Sequence, residues 1–283
     1  MLAEPTKEEV EKYLDFAYGL ALDPARSGYP TYTDGIKTRE DFEEAAWKGF
    51  CNDHRKILLF ESNGRVEGWI QFTFLPEDHY LQTEIFNIAS GTEQALSEFE
   101  AYCKENYSGA DLYFGFPKDN AAAVNYLSRN GWTCIERSYN DVLHFETYHP
   151  MEDCGTVVPV TRDNYRDFQS LHQPIEGDMY WNSQRLYADL DNWTIWLAYR
   201  GKTPAAAIYY TNESILTEIF GVDFAENRFE ETIFRLLLIK ALNDCKEKGC
   251  RHMVFFNDEE SQRAALACGF SCVGEYVCYM KKG

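Results

Sequence analysis

Two glutamates, Glu84 and Glu218, stand in identical tetrapeptides, Thr83-Glu84-Ile85-Phe86 and Thr217-Glu218-Ile219-Phe220. A strand carboxylate acts as a general base when it has reach and a raised pKa. Period-two alternation by itself also turns such a residue outward, solvated, beside inward Thr217 and Ile219. Both readings stand on the residues alone. A second stretch, His172 to Trp193, mixes aromatic residues with Glu176, Asp178, Asp189 and Asp191. Aromatic rings and acids together suit a cationic amine, and the same rings equally suit a lid packed into a core. The chain has no GxSxG, no Walker loop and no Cys-His pair with a third partner. Its nine cysteines form neither CxxC nor paired Cys/His spacing, so no structural metal is expected.

The formal net charge of -19 excludes nucleic acid and an anionic membrane as expected partners, since neutralising phosphate takes clustered Lys and Arg. It favours a cationic or amine-bearing ligand, and solubility accounts for it as well. With 45% apolar and 16% aromatic residues over 283 positions, the chain has ample material for buried cores. The acidic start MLAEPTKEEVEK lacks the basic, apolar layout of a signal peptide, and the longest apolar stretch, around Leu236 to Ile239, is far short of the ~20 residues of a membrane span. A cytoplasmic location is the expectation.

Positioning these residues falls to elements that occur twice. The Thr-Glu-Ile-Phe match has offset 217 - 83 = 134, Cys103-Lys104-Glu105 matches Cys245-Lys246-Glu247 at 142, and Gly131-Trp132-Thr133-Cys134 matches Gly269-Phe270-Ser271-Cys272 at 138. The three matches are colinear, which marks an internal repeat. Around them, Ile57–Phe60, Gly68–Phe72 and Leu81–Ala89 predict a β-meander, and Thr194–Tyr199, Ala205–Thr211 and Ile215–Val222 predict a second one, with a turn at Asn212-Glu213. Each meander leads into a helix, Glu93–Tyr107 or Phe229–Lys246, then a strand, Asp111–Phe116 or His252–Phe256, a second helix closed by Gly131 or Gly269, and terminal strands. Helices near Lys7–Leu20, Arg39–Trp47, Arg162–His172 and Ser183–Leu190 open the halves. The punctuation at His149-Pro150-Met151 places the domain boundary, giving residues 1–150 and 151–283.

This order of elements resembles the GCN5-related N-acetyltransferase (GNAT) superfamily over nearly all of each half, most specifically at Asn120–Ile135 and Gln262–Val273. The resemblance implies an α/β (α+β) fold of two tandem units, each a mixed, mostly antiparallel sheet flanked by helices. It implies acetyl transfer from acetyl-CoA to the amine of a small, cationic substrate, with Glu218 as the base. The family's cofactor lies where two parallel strands diverge, its pyrophosphate held by an RxxGxG/A turn at a helix N-terminus, where free amides and the helix dipole receive phosphate.

In the second half that turn runs Val222-Asp223-Phe224-Ala225-Glu226-Asn227-Arg228-Phe229-Glu230-Glu231-Thr232-Ile233. Arg228 matches the family's leading Arg, whereas Glu231 and Ile233 occupy the glycine positions. Repulsion between Glu231 and a phosphate at ~5 Å and an effective dielectric of ~20 is about 3 kcal/mol; alternatively Glu231 points to solvent and favours the helix start. The implied cofactor contacts are Phe220, Val222, Phe224, Arg228, Phe229, Thr232 and Asn257, although Asn257-Asp258 also reads as a cap for the helix Glu259–Cys268. In the first half the turn is four residues shorter (142 - 138 = 4) and is reduced to Ser90-Gly91-Thr92, with Ser90 or Thr92 as an N-cap. This implies a degenerate, non-catalytic first unit. The tyrosine that many family members place four residues before the Gly of Gly-Phe is replaced by Leu127 and Ala265, with Tyr126 one place off. A non-catalytic binding or scaffolding protein that has lost acetyl-CoA binding is the alternative.

Overall fold

Ile57-Leu58-Leu59-Phe60 is apolar at every position because its sheet is covered on both faces, a pattern that one-sided burial does not produce. In the computed structural model, which describes residues 1–28, 32, 36–152, 156–177, 179–212 and 216–283, the chain divides into two compact units, Met1–Ser138 with Gly274–Gly283, and Tyr139–Val273. Asp178, Glu213 and Ile215 lie outside the described residues.

Unit 1 contains β1 (Leu2–Ala3), α1 (Lys7–Ala21), α2 (Arg39–Phe50), β2 (Arg55–Ser62), β3 (Arg65–Leu75), β4 (Tyr80–Ile88), α3 (Thr92–Asn106), β5 (Asp111–Pro117) and α4 (Ala121–Arg129). Capping boxes start α1 and α2, with Thr6 paired to Glu9 and Thr38 to Asp41, so each first turn has its amides satisfied locally. Ile57, Leu59, Trp69 and Ile85 pack beneath α1 and α2 with Val10, Leu14 and Phe42. Leu58, Phe60, Ile70 and Phe86 turn to the opposite face and meet Phe99 and Cys103 of α3 and Leu127 of α4. Each such apolar side chain contributes about 1.5–3 kcal/mol when fully buried.

The strand β6 (Thr133–His144) carries the chain to unit 2, which follows as β7 (Val157–Pro159), α5 (Tyr165–His172), α6 (Ser183–Ala188), β8 (Trp193–Arg200), β9 (Thr203–Thr211), β10 (Leu216–Phe224), α7 (Glu231–Glu247), β11 (His252–Asn257), α8 (Glu259–Ala267) and β12 (Ser271–Lys281). The layers repeat those of unit 1. Tyr165, Phe168, Leu171 and Leu186 of α5 and α6 pack with Leu197, Ala207 and Tyr209 on one face. Phe234, Leu237, Ala241 and Leu242 of α7 pack with Ile208, Ile219 and Phe255 on the other.

The compact units are not cut at the repeat boundary of 150/151. Tyr276–Lys281 of β12 pairs antiparallel with β5 and completes the sheet of unit 1, and Tyr139–His144 of β6 pairs antiparallel with β11 and completes that of unit 2. Each repeat therefore lends its last strand to the sheet of the other.

In both units the central parallel pair is short. β4 and β5 are paired from Tyr80 to Gln82, and β10 and β11 from Leu216 to Ile219. Where the pairing stops, the antiparallel neighbour changes register: Glu84 is the extra residue of β4 between Thr83 and Ile85, and Phe220 that of β10 between Ile219 and Gly221. Such bulges bend a strand and re-aim its side chains. The expectation that Glu84 and Glu218 occupy matching places is corrected here. Glu84 sits at its bulge, and Glu218 lies two residues before its own, because the sequence match has offset 134 and the bulges 220 - 84 = 136.

Candidate active site of the second unit

Beyond Ile219, β10 pairs only with β9, so its other edge has no strand partner from Gly221 to Phe224 among the described residues. Val222 and Phe224 send their side chains into the core beneath α7. Gly221 has an ordinary negative φ, and its lack of a side chain serves packing: a Cβ there would lie 2.2 Å from the Tyr209 hydroxyl oxygen. Asp223 turns to the α5 face and is buried.

Its partner is His172, the last residue of α5. Asp223 Oδ2 lies 2.8 Å from His172 Nδ1, and His172 Nε2 lies 3.0 Å from the Trp181 carbonyl oxygen. A carbonyl only accepts, so Nε2 carries a proton. The His172 ring stacks on Phe168 at 5.3 Å between centroids and meets Tyr209 edge-on at 5.4 Å. Burial works against the imidazolium, but the hydrogen bond and charge of Asp223, the Trp181 carbonyl and Glu176 together raise the His172 pKa above the ordinary imidazole value. In unit 1 the residue three beyond the bulge is Asn87. Its Nδ2 donates to the Ala17 carbonyl of α1 (3.1 Å) and its Oδ1 accepts from Gly28 N (3.3 Å). The same place thus ties the first helices to the bulged strand in both units, by a neutral amide in one and by a carboxylate and imidazole in the other. Sequence reasoning missed the pair; Asp223 carried no signal beyond being an acid inside a strand.

After β10, Glu226 and Asn227 have φ of 57° and 50°, two consecutive left-handed residues without glycine's freedom. Arg228 follows in extended backbone and is exposed. Phe229 packs its ring between Phe224 (5.4 Å) and Phe234 (5.7 Å). At the start of α7 the N-cap residue Glu230 makes no capping bond; its carboxylate receives both of its short contacts from Arg200 (2.7 and 2.6 Å). The first α7 amide bonded back along the chain is Phe234 N, to the Glu230 carbonyl. The amides of Glu231, Thr232 and Ile233 therefore have no intrahelical acceptor, and Thr232 is exposed. Glu231 pairs with Arg263 of α8. Glu231 is exposed in the first turn of α7, as the solvent-facing reading has it, and the arginine it pairs with there is also exposed.

Glu218 is half-buried, and its N–H donates to Thr211 Oγ1 (3.1 Å). Ile219 and buried Thr217 face the α7 core, so alternation turns Glu218 toward the α5 side, the side also taken by Asp223. Phe220, at the bulge, is 42% exposed and meets Trp193 edge-on at 5.0 Å. Asn257 lies on β11 two residues past Phe255, the last partner of β10. It is buried at the end of β11, where its Nδ2 donates to Asp141 Oδ2 (2.9 Å) and the Phe255 carbonyl (3.2 Å), while Asp258 caps α8 by accepting from Ser261 N (2.8 Å).

The described residues of unit 1 repeat the short parallel pair and the bulge but differ in the carboxylate and the turn. Glu84 is held by Arg55 Nε (2.9 Å), by Gln71 Nε2 (2.8 Å) and by the Thr73 hydroxyl, which ties up the carboxylate on both oxygens. The expected Ser90 or Thr92 cap is corrected: Gly91, with φ of 75°, is the N-cap of α3, and Ser90 Oγ donates to Glu67 Oε2 instead (3.0 Å). Leu127 and Ala265 are both fully buried in apolar cores.

No protein-family model and no curated protein matches the sequence. Solved structures do match the fold. A GCN5-related N-acetyltransferase from Sphaerobacter thermophilus aligns with TM-score 0.66 at 12% identity over 100% of this chain and 95% of its own. A tandem GNAT protein from the clavulanic acid biosynthesis pathway aligns with TM-score 0.58 at 12% identity, covering 100% and 98%. A fungal GCN5-related glucosamine N-acetyltransferase region within a multi-domain GH3 β-N-acetylglucosaminidase aligns with TM-score 0.64 at 10% identity, over 99% of this chain and 38% of that one. With the repeated meander, the bulged central strand and the short parallel pair in each unit, these likenesses show that the chain has the GNAT fold, built as two tandem units.

Proposed function

We propose that this protein is an N-acetyltransferase that uses unit 2 to move an acetyl group from acetyl-CoA to the amine of a small cationic substrate. One observation carries the reading: the β10 edge loses its strand partner at the bulge, and the chain then leads past Arg228 into the uncapped amides of α7. The residues there fit an anionic cofactor, because Glu230 and Glu231 are each offset by an arginine. Arg228 and the amides of Glu231 to Ile233 would hold the phosphates, and Phe220, Val222 and Phe224 would offer the strand edge, with Phe229 and Thr232 at the helix entry. Asn257, its Nδ2 turned onto Asp141 and its buried Oδ1 without a partner among the described residues, would support the end of β11 and offer that oxygen.

The cofactor supplies an acyl group already activated as a thioester. The chain's own part is electrostatic and positional. Backbone amides on the open β10 edge would polarise a carbonyl laid against them, and Glu218 would take a proton from the substrate ammonium, freeing the amine to attack as the thiolate leaves. Unit 1, with Glu84 bound to Arg55 and a turn lacking arginine, serves as the non-catalytic partner. A cytoplasmic setting is consistent with the eight described cysteines, all of them free, and no described helix is long and apolar enough to cross a membrane.

The rival reading, a GNAT-fold binding protein without acetyl-CoA, draws on Glu231 and Ile233 at the glycine positions. Calorimetric titration with acetyl-CoA, repeated on Arg228→Ala, decides between them. Saturable binding weakened by the substitution supports the enzyme; no heat at millimolar cofactor overturns it, and binding indifferent to Arg228 overturns the placement of the site.

A further inference from the structure

A strip of four rings runs along the α5 face of unit 2. Tyr180 meets Trp181 at 5.2 Å, Trp181 meets Trp193 at 5.0 Å, and Trp193 meets Phe220 at 5.0 Å, each roughly edge-on. The inner members are anchored: Trp181 lends its carbonyl to His172, and Trp193 donates its Nε1 to Asp189 (3.3 Å). The Phe220 end is open, with the residue 42% exposed, whereas at the other end the Arg185 guanidinium lies over the Tyr180 ring, 4.1 Å from its centroid. An edge-to-face contact uses a ring's edge or one of its faces and leaves apolar area able to receive a further ring. Phe220 is also the extra residue of the bulge, which commits an aromatic side chain to the mouth of the site where a buried one would stabilise more.

The contact with Trp193 sets the Phe220 ring on the α5 side, the side alternation also gives Glu218, and the two residues start about 7 Å apart along β10. Charge and apolar area at that spacing select a ligand bearing both. A ring against Phe220 and an ammonium at Glu218 are joined by an arm of two or three carbons.

We propose that the acceptor of unit 2 is a primary amine carried on a flat apolar ring through a short aliphatic arm, with the Phe220 ring as its specificity-determining contact and Glu218 as the partner of its ammonium. This rests on the acetyltransfer reading for its chemistry, and it is separable from that reading in binding. Phe220 then has two duties: its backbone lies on the cofactor's edge of β10 and its ring on the acceptor's side.

The test uses the full-length protein and tryptophan fluorescence, with Trp181 and Trp193 as reporters. Phenethylamine, n-butylamine and spermidine are titrated in turn, with acetyl-CoA affinity measured separately by calorimetry. The expected result is that phenethylamine binds at least tenfold more tightly than n-butylamine, an advantage that Phe220→Ala and Phe220→Leu both remove. Glu218→Gln is expected to abolish the preference for phenethylamine over the uncharged 2-phenylethanol. Equal binding of the three amines, or a phenethylamine preference that survives both Phe220 variants, overturns the proposal even where acetyl-CoA binds normally. A Phe220-dependent preference in a protein that fails to bind acetyl-CoA keeps this acceptor class and removes acetyl transfer.

Discussion

His172 Nδ1 stands 2.8 Å from Asp223 Oδ2, and both side chains are withdrawn from solvent. The contact joins the end of α5 to the strand that forms the candidate site, three residues past its bulge. Removing one member of such a buried pair leaves the other without its counter-charge. Asp223→Ala is expected to cost about 3–5 kcal/mol in chemical denaturation, whereas Asp223→Asn, which keeps a hydrogen-bonding oxygen, costs less. A denaturation midpoint unchanged in Asp223→Ala would contradict the account.

The same pair sets a pH dependence. The folded pKa of His172 is raised, with the Asp223 contact outweighing burial. The folded state therefore holds this proton more tightly than the unfolded state. The stabilisation is complete below the unfolded value of about 6.5 and is lost as pH rises through the raised folded value. Asp223→Asn is expected to flatten the fall in stability above about pH 6.5, measured as thermal midpoint against pH.

Arg228→Ala is expected to weaken acetyl-CoA roughly tenfold or more, with a shallower salt dependence than the parent. Glu231→Gln is expected to tighten binding by less than the hundredfold that an unopposed charge would imply, because Arg263 already offsets that carboxylate. Calorimetry at two ionic strengths reads both effects.

Glu218→Gln is expected to lower kcat by about 10²–10⁴ at unchanged acetyl-CoA affinity, and Glu84→Gln to leave kcat within about twofold. Steady-state kinetics with a thiol-release readout separates the two carboxylates.

Gly221→Ala places a methyl group 2.2 Å from the Tyr209 hydroxyl oxygen and 2.5 Å from the ring carbon bearing it. A destabilisation of about 1–3 kcal/mol follows. Tyr209→Phe in the same chain relieves only part of it, since the ring carbon stays. The double-mutant cycle by denaturation measures that fraction.

By itself the sequence determined the order of elements, the two meanders and the repeat. Apolar periodicity and turn residues report on local burial, and the helices expected at Glu93–Tyr107 and Phe229–Lys246 formed as Thr92–Asn106 and Glu231–Glu247. It also located Arg228 and the altered glycine positions. Tertiary structure decided the rest, because each remaining feature depends on residues far apart in the chain. The Thr-Glu-Ile-Phe repeat could not show that Glu218 precedes its bulge while Glu84 occupies one, since a bulge is a property of two strands in register. The exchange of β6 and β12 depends on which sheet edge each strand meets. Glu231 finds Arg263 on another helix, and Asp223 finds His172 fifty-one residues away. Local pattern shows which residues are withdrawn from water; only the folded chain shows which of them meet.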